Sequence, residues 1–280
     1  MILRKIFRIL FIMGAVLLCI NIYGLFKSLG NDSIYTEEHT LFNNDIDITS
    51  SKLLDEVLHE ENIKNREVYF QKLVKAVNKN IAHYWRTEGR TKYNLTIPVY
   101  ENYILWLKQF SDQKHYKLYE FCNYEHAVER KVGLCSQHAI IICGILEDKH
   151  IPAKIVALSG HVVATAEVEK GNWWILDGDY GVIIPKSIEE IEKNPTLIIP
   201  YYKDKMNYNR FSISQNQNNP IPLERLVRIY GAEGNFVING VKGYCGNRYS
   251  FEKMSYYLIW IIPLIFILPF LIILIKKSNI

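Results

Sequence analysis

Cysteine is scarce in this sequence, with five residues among 280, and one of them, Cys19, lies inside an uncharged apolar run. So low a count excludes the dense disulfide framework that small exported domains use in place of a large core. Cys122 and Cys245 could pair in an oxidising compartment, and the sequence leaves that open. Basic clusters are missing too. The formal net charge is only +4 and the lysines and arginines are scattered, which argues against a nucleic-acid partner. His126, His138 and His150 lack paired metal-ligand spacing, so neither a metal nor a cofactor is expected. Internal repeats are absent as well.

What the chain has in quantity is apolar sequence at its two ends. Ile9 to Phe26 is free of charge and preceded by Arg4, Lys5 and Arg8, long enough to cross a bilayer at about 1.5 Å per residue. A secretory signal would begin the same way. No small-x-small site follows, however, and Leu17-Leu18 precede Cys19 where a lipoprotein signal wants a small residue, so an uncleaved anchor is expected. Tyr256 to Ile275 is a second uncharged stretch, with Tyr and Trp at one edge and Lys276-Lys277 at the other. Pro263 and Pro269 are compatible with a membrane helix. Basic residues flank the outer end of each span, so the positive-inside rule places both termini in the cytoplasm and the intervening part outside it.

Between the spans, residues 28–50 are polar and read as a tether. The segment from Arg66 to Trp85 places Val68, Leu73, Val77, Ile81 and Trp85 near helical spacing. Helical sequence resumes over 100–110 and 116–130, broken at Ser111-Asp112. Gly133 then turns the chain, and a helix restarts at or beside Cys135, apolar all round from Ala139 to Leu146 and therefore central to its domain. After His150 the period becomes strand-like over "AKIVALS", "HVVATAEVE" and "WWILD", predicting three antiparallel strands. A short capped helix over 187–194 and an exposed loop over 209–222 follow. The class is α+β.

A thiol nucleophile needs a base to hold its proton and an acceptor to orient that base. Cys135 opens the central helix, where unpaired N–H groups and the helix dipole favour a thiolate. His161 opens the second strand, and Asp177 ends the third. A hairpin through Lys170-Gly171-Asn172 would bring His161 and Asp177 to the same end of adjacent strands. Cys143, eight residues along the helix from Cys135, belongs to the core. The backbone N–H of Cys135 could serve a developing oxyanion; for a second donor, Trp or Tyr side chains, Asn123 and Gln137 are all candidates.

The runs "ERKVGLCSQHA", "HIPAKIVALSGHVVATAEV" and "GNWWILDGDYG" resemble the cysteine, histidine and aspartate motifs of the transglutaminase-like superfamily. That resemblance covers residues 125–185 and implies a papain-like core, with the cysteine-bearing helix packed on an antiparallel sheet. It implies Cys135 as nucleophile, His161 as base and Asp177 as orienting carboxylate. Val163 stands where the family often has an aromatic, and Gly178 where proline commonly follows the aspartate; both departures bear on substrate recognition rather than on the triad.

The expected organisation is an anchor over 1–27, the tether over 28–50, a helical region over 51–124, the catalytic core over 125–185, an extension over 186–253, and a membrane helix with a basic tail over 254–280. The expected activity is hydrolysis of an amide in a protein or peptide near the membrane surface, through an acyl-thioester. Gly178, Asp179 and Gly181 suggest an open polar rim that would admit water. Amine transfer, as in cross-linking transglutaminases, and a non-catalytic membrane scaffold are the alternatives.

Overall fold

The computed structural model describes residues 2–35, 46, 51–83, 89–205, 223–232 and 235–278. Its helices in chain order are α1 (Ile2–Gly24), α2 (Ser51–His59), α3 (Arg66–Asn80), α4 (Gly89–Lys92), α5 (Val99–Lys108), α6 (Gln113–Tyr116) and α7 (Tyr124–Arg130). They continue with α8 (Cys135–Asp148), α9 (Ile188–Lys193), α10 (Ile199–Tyr202), α11 (Leu223–Tyr230), α12 (Gly240–Cys245) and α13 (Asn247–Ser278). A two-residue parallel bridge joins β1 (Ala82–His83) to β2 (Val132–Gly133). The main sheet comprises β3 (Ala153–Leu158), β4 (His161–Glu169), β5 (Asn172–Asp177), β6 (Val182–Ile184) and β7 (Phe236–Asn239). All its pairings are antiparallel, in the order β6-β5-β4-β3-β7. The chain is α+β, with the three expected strands at the centre of a five-stranded sheet.

Alternation along β4 explains how the sheet splits the core. Ala164 and Ala166 face one way, into a core with Leu73, Val77, Ile141, Ile142 and Ile145 from α3 and α8. Val163 faces the other way and packs with Ile175, Ile191, Tyr202, Leu226 and Tyr230. Side chains two residues apart share a face, so one strand serves both layers. The first layer carries the cysteine helix. The second is built from the extension after Ile184, whose helix α9 starts on a Ser187–Glu190 capping box.

The α3 stripe differs in phase from the expectation. Leu73 and Val77 are buried, with Tyr69, Phe70, Val74 and Ala76, whereas Val68 is exposed. The helix ends at Asn80 because Ile81 and Ala82 turn into the β1–β2 bridge, so Ile81 is buried from an extended conformation. Trp85 and the loop expected over 209–222 lie outside the described residues.

The start of the supposed tether is docked on the domain. Leu29 is fully buried, its N–H donates to Glu129, and its carbonyl accepts from Asn94 Nδ2. A single leucine with both backbone groups satisfied suffices to seat this turn in the core.

Two helices are long and apolar enough to cross a membrane, over Arg4–Gly24 and Asn247–Lys276. They pack antiparallel. Phe11 meets Phe270, Gly14 lies against Pro263 and Phe266, and Asn21 meets Ile259. Pro263 has no N–H, which frees the carbonyl of Ile259 four residues earlier. That carbonyl accepts from Asn21 Nδ2 at 2.5 Å and from the Tyr103 hydroxyl at 3.2 Å. The freed carbonyl is thus satisfied by the partner helix and by α5.

Candidate active site

Cys135, His161 and Asp177 come from three elements that the central packing brings together. Cys135 is the first residue of α8, after Leu134, and no side chain caps this helix start. Its neighbours are locked in place. Gln137 exchanges hydrogen bonds with the Phe121 backbone, accepting from N–H at 2.7 Å and donating to the carbonyl at 2.9 Å. Arg130, buried, donates to the carbonyls of Val132 and Tyr119 and to Gln137 Oε1. Burial lowers this guanidinium to about 10 against the pull of Glu120 and other groups, leaving it charged at neutral pH.

Across the β4–β5 hairpin, Ala164 pairs with Leu176, which sets His161 diagonally opposite Asp177. His161 Nε2 lies 2.8 Å from Asp177 Oδ2. The ring is 3% exposed and the aspartate 0%. With Nε2 committed to the carboxylate, Nδ1 is the remaining ring nitrogen, and the Cys135 side chain bears on the ring electrostatically. Burial disfavours the charged ring, but the charge and hydrogen bond of Asp177, joined by Cys135, outweigh it and hold His161 well above its ordinary range.

Asp177 has more partners than a turn residue needs. Its Oδ1 accepts the backbone N–H groups of Asp179 and Tyr180, at 3.0 and 3.1 Å. Its Oδ2 also accepts the Tyr202 hydroxyl at 2.6 Å, and the Tyr230 hydroxyl lies 2.7 Å from that of Tyr202. Tyr202 has spent its one proton on the carboxylate, so Tyr230 is the donor in the second contact. Tyr180 meets the His161 ring edge-on, with centroids 5.5 Å apart. None of these three tyrosines is singled out by spacing. The only sequence hint for Tyr202 is an aromatic pair, Tyr201-Tyr202, after a proline.

The glycine-rich rim is not open. Asp179 is fully buried and pairs with His83 Nδ1 at 2.7 Å. A Cβ on Gly178 would meet Ile142 and Val77, and Gly181 adopts φ +65° against Asn78. These glycines allow close packing of the β5–β6 turn on α3 and α8 rather than admitting water. His138 lies beneath the same turn, its ring nitrogens facing the carbonyls of Leu134 and Ile81.

Two of the candidate oxyanion donors are committed elsewhere. Gln137 donates to the Phe121 carbonyl, and Asn123 accepts from Glu125 N–H at the α7 cap while its Nδ2 donates to Glu125 Oε2 at 3.5 Å. Cys143 is fully buried, and burial raises its thiol, as a core residue requires. Cys122 and Cys245 form a disulfide that ties the α7 entry to the end of α12. Comparisons with protein-family models, with curated proteins and with solved structures find no match to this chain.

Proposed function

We propose that this chain is a membrane-anchored thiol hydrolase of transglutaminase-like, papain-like type, cleaving an amide bond with Cys135, His161 and Asp177. The observation that carries the reading is the His161–Asp177 contact, buried and 2.8 Å long, with Cys135 at a helix start and among the groups that raise the ring.

In this mechanism the raised His161 holds a proton taken from the thiol, giving a thiolate beside an imidazolium. The sulfur attacks the amide carbonyl, the S–C bond forms and the carbonyl electron pair moves to oxygen. As the tetrahedral species collapses, the C–N bond breaks and the leaving amine takes the His161 proton. Water then attacks the thioester, passing one proton to His161, and expels the thiolate with the carboxylic acid as product. Asp177 keeps Nε2 protonated throughout, so that Nδ1 alone exchanges the proton.

The catalytic domain faces the outside of the cell, with both termini in the cytoplasm. The Cys122–Cys245 disulfide suits an oxidising compartment, and the antiparallel helix pair returns the chain to its starting side. The substrate is a protein or peptide at the outer membrane face.

Amine transfer is the second reading, and one feature favours it: the Glu120 carboxylate lies in an open cleft, 2.6 Å from Ser136 Oγ beside the nucleophile, where it could hold an ammonium group. Labelling intact cells with a membrane-impermeant, thiol-reactive acyl probe tests topology and reactivity together. Modification is expected at Cys135 and its loss in His161→Ala. Labelling of Cys135 only after denaturation would return it to the core and favour a scaffold. Adding a tagged primary amine separates water from amine as acceptor, because transfer incorporates the tag.

A further inference from the structure

Helix α11 carries two arginines on one face. Arg225 and Arg228 are three residues apart, so their side chains are neighbours on the helix surface. Both are exposed, and among the described residues neither makes a hydrogen bond or an ion pair, although Glu224 stands one turn before Arg228. Together with Ser159, Ile229, Gly231 and Ala232 they line a cleft of about 480 Å³. No carboxylate among the described residues shares that lining. The opposite face of the helix is buried, with Leu226, Ile229 and Tyr230 in the second core layer.

The cleft adjoins the candidate active site through the β3–β4 turn. Ser159 stands two residues before His161, no more than about 7 Å away along the chain. A Cβ on Gly160 would lie 4.0 Å from Ile229 Cδ1, so the turn and the helix are in contact. His161 shares a strand face with Val163, which packs in the layer that contains Ile229. Tyr230, the last residue of α11, donates to Tyr202 and so supports Asp177. One short helix thus backs the aspartate from its buried face and presents two guanidinium groups beside the histidine turn from its exposed one.

A guanidinium offers a planar fork of N–H donors that matches a carboxylate, and its weak hydration makes it easy to strip of water. Successive residues of an extended peptide advance about 3.3 Å, so a group held at Ser159 sits about two residues from the bond under attack. We propose that Arg225 and Arg228 form a specificity subsite that holds a carboxylate side chain of the peptide substrate, selecting acidic sequence beside the scissile amide. The proposal rests on the thiol reading of Cys135 and supplies its substrate class.

Protection of Cys135 from alkylation tests the subsite, because a peptide held beside His161 covers the sulfur. The probe is acetyl-hexaglutamate amide, with the hexaglutamine peptide as its uncharged control, added with iodoacetamide to the full-length protein in uncharged detergent. Hexaglutamate is expected to slow alkylation saturably, and less so as added salt screens the charges; hexaglutamine should not. In Arg225→Gln/Arg228→Gln, half-protection should need at least about tenfold more peptide, the scale of one charge-assisted hydrogen bond. Lys75→Gln/Lys170→Gln removes the same charge from exposed positions outside the cleft and should leave protection as in wild type. Alkylation without peptide should proceed in both variants, which reports that each is folded. Equal protection by hexaglutamine, undiminished protection in the arginine variant, or an equal loss in the lysine variant overturns the proposal. So does equal protection by inorganic phosphate at the same ionic strength, since the cleft would then be a phosphate site. A reactive Cys135 that hexaglutamate leaves unprotected overturns the proposal and leaves the thiol reading standing. A wild-type Cys135 inert to iodoacetamide without peptide overturns the thiol reading itself, and this proposal with it.

Discussion

The Tyr202 hydroxyl donates to Asp177 Oδ2 at 2.6 Å, sharing with His161 a single carboxylate oxygen. Tyr202 comes from α10, outside the strands that carry the other two groups, and Tyr230 of α11 donates to it in turn. Burial and Asp177 raise Tyr202 well above its ordinary value, so it remains a donor at any working pH. A hydrogen bond to a charged acceptor is worth about 1.5–3 kcal/mol. Tyr202→Phe should therefore slow acylation of Cys135 by about tenfold, by loosening the carboxylate that orients His161. Tyr230→Phe should cost less, because its donor reaches Asp177 only through Tyr202. A p-nitrophenyl acetate burst with the reverse order of effects would refute the chain.

His161 sets a pH dependence with a definite sign. Its native value is raised, against burial, by Asp177 and Cys135, so the folded state binds a proton that the unfolded chain releases at about pH 6.5. The stabilisation is complete below that pH and is lost as pH rises through the native value. Urea unfolding of wild type and His161→Gln should show a stability difference that shrinks as pH rises above about 6.5. A difference that grows over that range would contradict the assignment. Iodoacetamide should alkylate wild-type Cys135 at neutral pH, and His161→Ala should slow that alkylation, because the proposed acceptor of the thiol proton is gone.

The Cys122–Cys245 disulfide closes a sequence separation of 123 residues. Cross-links of that kind typically contribute about 2–5 kcal/mol. Replacing both cysteines by serine should lower the midpoint of thermal unfolding. Equal unfolding midpoints for oxidised and reduced protein would show that the α7–α12 contact holds without it.

Asn21 and Ile259 link the two long apolar helices one turn before Pro263. Asn21→Leu leaves the Ile259 carbonyl with Tyr103 alone. Interhelical hydrogen bonds in membranes average about 0.6 kcal/mol, so a small but measurable fall in detergent stability is expected. Under the two-span topology, reporters at either terminus should behave as cytoplasmic. An epitope inserted at the exposed Lys170-Gly171 turn should be reached from outside intact cells. A protected epitope would overturn the orientation.

Local pattern was enough to locate the apolar ends, the cysteine helix, the β3–β5 meander and the Ser187 cap, because helical spacing, strand alternation and turn chemistry are written into neighbouring residues. The same local signals placed His161 and Asp177 near one end of a hairpin, since a short turn fixes register. Edge strands β6 and β7 escaped notice: each is short, and β7 pairs with β3 from some eighty residues downstream.

Residue chemistry without geometry misjudged the glycine rim and missed the seat of Leu29. Gly178, Asp179 and Gly181 look polar and loose in sequence, but they are glycine-dependent close approaches to α3 and α8. Leu29 is one apolar residue in a polar stretch, and only a waiting pocket makes it an anchor. By itself the sequence determined the central helix and the three central strands, and put forward three residues for one site. Only the tertiary structure decided that Tyr202 and Tyr230 back the aspartate and that Gln137 and Asn123 are already committed. Those contacts join residues far apart in the chain, and their partners are chosen by packing rather than by any local period.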